Sequence, residues 1–185
     1  MGYNYSKGAQ VIGDLKAADD AQRDTLIDFG EDMIDFQTSG SVRFQINNNG
    51  TNTFYNPLTL ADNTGVGEIV KFGSGTLTTG MLYYLNGTDW REVDADAIAT
   101  GADQMLGIAL GSNPSSNGVL IRGFFDATSY LSNFSAGKAV YISTTGGSMD
   151  TTAPSGGGDF VRIVGYCTTT ANVIYFNPST TWVEL

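Results

Sequence analysis

An all-β protein is what this sequence predicts, and three observations carry the prediction. Charged residues make up only 15% of the 185 positions, well under the usual quarter, and 24 glycines with many Thr, Ser and Asn take their place. That is the vocabulary of turns and of strands with hydroxyl-bearing faces. Apolar residues alternate with polar ones in short phrases, and Gly, Ser or Asn closes each phrase, with no long helical period between them. The expected organisation is a short N-terminal arm (1–22), an intertwined β stem (23–64) and a C-terminal β-sandwich or barrel with an internal duplication (65–185), the whole assembled as a homotrimer.

Residues 1–22 are a lead-in of small side chains. GDLKAADDAQRD supports one helical turn or two at most. Met1-Gly2 matches the start of a myristoylation signal only by the coincidence of a short pattern.

The stem is written in RDTLIDFGEDMIDFQTSGSVRFQINNNG, Arg23 to Gly50. Period-two alternation places Leu26, Asp28 and Gly30 on one face and Ile27 and Phe29 on the other. Seven residues on, the unit repeats, and Ile34 and Phe36 stand where Ile27 and Phe29 stood. Val42, Phe44 and Ile46 then alternate with Arg43 and Gln45. Strands this short, with one apolar face each, are not stable alone in water. Three copies of the chain would bury those faces about a three-fold axis, so Ile27, Phe29, Ile34, Phe36, Val42, Phe44 and Ile46 form the expected trimer interface.

From Gly67 the chain becomes a run of short strands between Gly-rich turns: GEIVKFGSG, GMLYYLNG, WREV, MLGIALG, GVLIRGFF, GKAVYIS, DFVRIVGYC and NVIYFNP. Asp94–Gln104 is the best helix candidate, one or two turns long. Phrases recur in order. LTTGMLYYL matches FSAGKAVYI, with Gly80 over Gly137 and Tyr84 over Tyr141. QMLGIALG matches RIVGYCTT, with Gly107 over Gly165, and GVLIRGF matches ANVIYFN when shifted by one residue, with Val119 over Val173. Two copies of one β unit are inferred. The recurrent glycines read as tight turns or close backbone approaches.

The same residues set limits on chemistry. A formal net charge of −10 leaves too few cations to grip nucleic acid by neutralising phosphates, and it would be repelled by anionic membranes. The chain has no histidine, so a Ser/His/Asp or Cys/His set is excluded, and one cysteine cannot build a zinc cluster. Cys167 reads as a small core side chain within VRIVGYCTTT. No phosphate-binding loop occurs, and SGGGDF at Ser155–Phe160 reads as a turn. Asp28 with Asp35 is the first candidate carboxylate pair, but its position in the repeated strand unit points to hydrogen bonding at a solvent or inter-chain face. Asp94, Asp96 and Asp103 approach a calcium loop without its glycine and closing glutamate, so they read as a solvated turn. No catalytic residue, metal or cofactor is expected. Tyr3, Tyr5, Phe54, Tyr55, Trp90 and Trp182 lie in or near turns and read first as interface or core aromatics. Trp182, in TWVEL, is expected to dock the terminus onto the domain. No stretch spans a bilayer and no apolar leader begins the chain, so synthesis in a cytoplasm is expected, with release by lysis if at all.

The phrase IGDLKAADDAQRDTLIDFGEDMIDFQTSGSVRFQINNNG resembles the "IDF…DxIxFxTxGSxRFxI" phrases of tail-fibre proteins of tailed bacteriophages. GSGTLTTGMLYYLNGTDWREVDADAIATGADQMLGIALG and VRIVGYCTTTANVIYFNPSTTWVEL resemble modules of phage virion appendages and small capsid decoration proteins. Together these cover most of the chain. The resemblance implies a homotrimeric, non-enzymatic structural protein on the virion surface, a decoration protein or head fibre held by its N-terminus with the β domain outward. Its expected partners are its own copies and a major capsid or tail protein. Tyr3, Tyr5, Val11, Ile12 and Leu15 are the expected attachment residues. The rival expectation is a short tail-fibre adhesin that binds a host surface glycan through Tyr83, Trp90, Asn113 and Asn117, with three copies supplying avidity.

Overall fold

Tight reversals build the first part of the chain. In the computed structural model, which describes residues 14–16, 19–55 and 59–185, Ser39 and Gly40 both take left-handed backbone (φ 50° and 66°) between the paired residues Thr38 and Ser41. Two consecutive positive φ values match the right-handed twist of the flanking strands, which is why this two-residue hairpin closes so sharply. Upstream, the Asp20 carboxylate accepts hydrogen bonds from the Gln22, Asp24 and Thr25 amides and fixes the entry into the sheet. Those amides hold Asp20 below its ordinary pKa, the Thr25 bond most of all.

The chain divides into two compact units, Met1–Asn56 and Pro57–Leu185. The first is a five-stranded antiparallel sheet in chain order: β1 (Leu15–Lys16), β2 (Leu26–Gly30), β3 (Met33–Thr38), β4 (Ser41–Asn47) and β5 (Asn52–Phe54). The three phrases of the expected stem are β2, β3 and β4, with the predicted alternation except where a bulge shifts Val42 out of register with Phe44. The division falls before the change of character expected at residue 65. Asn63 donates its amide to Asp126 O, and Asp126 donates to Thr64 O, so these residues belong with the second unit.

The second unit holds β6 (Gly65–Val70), β7 (Leu82–Asn86), β8 (Asp89–Glu92), β9 (Leu106–Ala109), β10 (Val119–Asp126), β11 (Leu131–Ser132), β12 (Ala139–Ile142), β13 (Met149–Asp150), β14 (Phe160–Cys167), β15 (Val173–Phe176) and β16 (Trp182–Glu184). They form one curled sheet in the order β11-β13-β12-β14-β15-β10-β9-β7-β8, with β6 also on β10 and β16 on β14. All eight phrases read as strands are strands. Asp94–Gln104 forms only a short 3-10 turn, Ile98–Thr100, and the one α-helix among the described residues is Pro114–Asn117, α1, which Asn113 caps. The chain is thus nearly all β. No helix among the described residues is long and apolar enough to cross a membrane.

This unit closes over its own interior. Leu82, Ile108, Leu120, Phe125, Ile142, Phe160 and Phe176 are fully buried, and Cys167 lies among them as a core side chain. Trp182 does dock the terminus: β16 pairs with β14, and the indole stands edge-on to Phe160 with centroids 6.3 Å apart. Arg162 is the interior cation. Its guanidinium donates to the carbonyls of Gly101 (2.7 Å), Gln104 (2.8 Å) and Ser179 (2.8 Å), tying the short turn and the C-terminal segment to β14.

Candidate assembly surface

The first unit sorts its side chains by face. Cross-strand partners share a face, so the register Leu15–Ile27–Phe36–Phe44–Phe54 is one continuous apolar row across all five strands. Phe29–Ile34–Ile46 forms a second row beside it. The rings of Phe36 and Phe44 lie 5.5 Å apart, and those of Phe44 and Phe54 lie 4.7 Å apart. Phe54 is nevertheless 71% exposed, Phe29 47% and Leu15 46%, and Phe36 and Ile46 are exposed as well. Ile27, Ile34 and Phe44 are half-buried, whereas Val42, expected with them, is carried by the bulge beside Phe36 to pair with Gln37 of the opposite face, which corrects that expectation. A single-layer sheet offers these residues neighbours along the sheet but nothing above it.

The opposite face is polar and internally bonded. Asp28 and Asp35 are direct cross-strand partners. Gln37 Nε2 donates to Asp28 (3.4 Å), Gln45 Nε2 donates to Asp35 (2.8 Å), and the Tyr55 hydroxyl donates to Gln45 Oε1 (3.1 Å). Lys16 pairs with Asp14 at 3.2 Å, and this contact leads in holding the Asp14 carboxyl below its ordinary range. The Asp28 carboxyl is raised, first by its hydrogen bond with Asp14, then by burial and by the charges of Asp14 and Asp35. The candidate carboxylate pair is therefore a hydrogen-bonded part of the sheet's polar face.

Toward the β1 side the apolar face opens into a hollow of about 430 Å³, bounded by Leu15, Ile27 and Phe36 and rimmed by Lys16, Thr25 and Arg43. Phe54, expected as an interface or core aromatic, extends the row at β5, while β1 is a strand that no alternation in the sequence marks. Strands of two and three residues carry too little alternation to be seen. The signal for Phe54 was its place in a phrase, TNTF, that repeats the polar–apolar step of the strand before it.

The expected attachment residues Tyr3, Tyr5, Val11 and Ile12 lie outside the described residues. Leu15, grouped with them, is built into the sheet opposite Ile27. The proposed glycan contacts are not brought together as a surface. Tyr83 is 2% and Trp90 3% exposed, both packed with Leu77, Ala109 and Val119. The Tyr83 hydroxyl accepts from the Thr78 amide, and Trp90 Nε1 donates to Phe72 O. Neither ring has a face left for a sugar, which corrects the expectation for both. Tyr83 lies in the unbroken run LYYL, the mark of a strand covered on both faces. Asn113 and Asn117 are exposed but serve their own turn: Asn113 Oδ1 accepts from Ser115 and Ser116, and Asn117 Oδ1 accepts from the Asn113 amide.

A polar cleft of about 320 Å³ lies between Ser143–Thr144 and Thr152–Asp159. Its two carboxylates are engaged, Asp150 by Asn133 and the Thr152 amide and Asp159 by the Gly156 amide. SGGGDF is the turn that the Gly156–Asp159 contact closes. In the loop read against calcium binding, Asp94 Oδ1 accepts from the Asp96 amide, a local turn contact. No protein-family model matches this sequence, no curated protein matches it, and no solved structure matches the fold.

Proposed function

We propose that this chain is a non-enzymatic structural protein of a tailed-phage particle, a trimeric decoration protein or fibre on the virion surface whose assembly module is Met1–Asn56. The observation that carries this reading is the uncovered apolar face of the five-stranded sheet. A whole aromatic side chain offers roughly 150–250 Å². At the exposures of Phe29, Phe36, Phe54, Leu15 and Ile46, the face leaves on the order of 450 Å² of apolar surface in water. That is the apolar share of one side of a standard protein–protein interface, about 800 Å² per partner. Covering it is worth on the order of 11 kcal/mol per copy before the costs of association. The phage assignment rests on the phrase resemblance of the stem and of the second unit.

The second unit supports a related inference, that it is two copies of one β element. Strands β7, β9 and β10 pair in that order, as do β12, β14 and β15, and β10 pairs with β15 between the two sets. Gly107 faces Tyr83 and Gly165 faces Val140, positions that the matched phrases superpose.

The test is the mass of the full-length chain in solution. Sedimentation equilibrium is expected to give three times the 19.6 kDa of one chain. A monomer at micromolar concentration would remove the assembly reading. Image reconstruction of the particle that carries the protein then locates it on capsid lattice or tail. Because Leu15 and Lys16 belong to the sheet, a deletion that probes attachment must stop before Asp14. Deleting 1–13 is expected to leave the trimer intact and abolish particle binding, and retained binding would overturn the attachment role.

A further inference from the structure

The assembly reading leaves open how one copy meets the next, and the sheet itself favours one mode. The row Leu15–Ile27–Phe36–Phe44–Phe54 has unlike ends. At the β5 edge it finishes in Phe54, a ring leaning on Phe44 and 71% exposed. Toward the β1 edge it finishes in the apolar hollow bounded by Leu15, Ile27 and Phe36. One edge carries a projection and the other a depression, and β5 and β1 are the two outer strands of the sheet.

We propose that Phe54 of one copy enters the Leu15–Ile27–Phe36 hollow of the next, so that the trimer is a closed ring of head-to-tail contacts. The proposal rests on the reading of Met1–Asn56 as the assembly module. The occupant is a second copy for reasons of size and surface. A hollow of about 430 Å³ is ample for a phenyl ring. The surface the docking covers, Phe54 with Leu15 and Phe36, is the main part of the apolar area that a standard interface needs. A two-fold axis would also fill both hollows, each Phe54 entering the other copy, but it closes at two chains, so the mass in solution separates that pair from the ring. Unlike patches generate rings or open filaments, and a ring closes when each contact turns the chain by one third of a revolution. Lys16 is paired with Asp14, and the Arg43 guanidinium donates to Thr38 Oγ1 and Thr38 O, so the hollow accepts an uncharged ring without stranding a cation.

The experiment keeps the aromatic ring in place. Full-length protein with Phe54 replaced by benzoylphenylalanine is mixed with isotopically labelled parent, irradiated, digested and mapped by mass spectrometry, beside the sedimentation mass of the parent. The expected result is a cross-link between chains that joins position 54 to the peptides holding Leu15, Ile27 or Phe36. A second variant, Phe54→Asp, is expected to drop the mass from three copies to one while the second unit keeps its melting transition. Cross-links from 54 to 54 would overturn the docking, and a mass of two chains with 54-to-hollow cross-links would mean reciprocal two-fold exchange and would overturn the ring. Cross-links confined to one chain, or found elsewhere, in a protein that still sediments as a trimer would overturn this docking and leave the trimer standing, with residues 1–13 the first alternative occupant of the hollow. A monomeric parent would end both.

Discussion

Asp28 sits among other acids, facing Asp14 and paired across the strands with Asp35, and its carboxyl is raised for that reason. A carboxyl whose folded pKa lies above its unfolded one holds its proton more tightly in the folded state. Its contribution is therefore greatest at low pH and is lost as pH rises through the raised value. Asp14, lowered chiefly by Lys16, works the other way: its contribution is present above the ordinary carboxylate range and is lost as pH falls. Asp28→Asn keeps an acceptor for Gln37 and removes the repulsion. It is expected to raise the urea midpoint of the first unit's transition at pH 7, with the gain shrinking toward pH 4, and an equal gain at both would deny the electrostatic cause. Arg162 presents the opposite case. Burial lowers its pKa and Asp103 opposes that, while three carbonyls accept from it. Arg162→Met strands those carbonyls and is expected to cost about 3–5 kcal/mol in a denaturation measurement. The sequence marks Asp28 as a hydrogen-bonding strand residue but not its acidic neighbours, nor the carbonyls that Arg162 holds, because these depend on what lies opposite across a ladder or a turn. The rival glycan-contact reading of Tyr83 and Trp90 fails for the same reason, while the first reading of Trp90 as a core aromatic holds. An aromatic next to a turn reads alike whether its ring faces water or, as here, the core.

At the scale of elements, the strands that sequence found and those it missed differ in length. The eleven phrases read as strands each carry four or more residues of alternation or an unbroken apolar run. β1, β5, β13 and β16 have two or three residues and exist because a longer neighbour offers its edge, and the two-residue β11 adds to β13 in turn. The helix expected over 94–104 shrank to Ile98–Thr100 because Thr100 turns its hydroxyl back onto Asp94 O at 2.6 Å and Gly101 ends the turn. The matched glycines Gly107 and Gly165 prove to be close approaches within strands rather than turns. A Cβ on Gly165 would overlap the Tyr175 carbonyl oxygen, whereas one on Gly107 would first meet the Val119 side chain. Backbone locked in a central ladder yields less than a side chain. Gly165→Ala is accordingly expected to cost about 3–4 kcal/mol and Gly107→Ala about 2 kcal/mol, read as urea midpoints with a common slope. Equal costs would mean that the Val119 side chain is held as firmly as the β15 backbone.

The whole molecule joins two solutions to the same problem of covering an apolar β face. Pro57–Leu185 curls its sheet until Phe125, Phe160 and Phe176 are fully buried. Met1–Asn56 has five strands in one layer, and its row of aromatic and aliphatic side chains stays in water until another surface covers it. The sequence distinguishes the two: alternation with polar partners in LIDF, MIDF and VRFQIN marks one-sided strands, while LYYL and LGIAL mark strands covered on both faces. What alternation leaves out is the identity of the cover, since it specifies a face and says nothing of what meets it. This asymmetry predicts how the molecule comes apart. A fragment spanning 59–185 carries its own core and is expected to fold, to melt cooperatively at the temperature of the full chain's second transition, and to sediment as a monomer. If the apolar row carries the proposed trimer, the full chain should lose it when the row is broken by Phe36→Asp, while that second transition stays where it was. A trimeric 59–185 fragment would place the self-association in the curled sheet and would leave the exposed row of the first unit to a different partner.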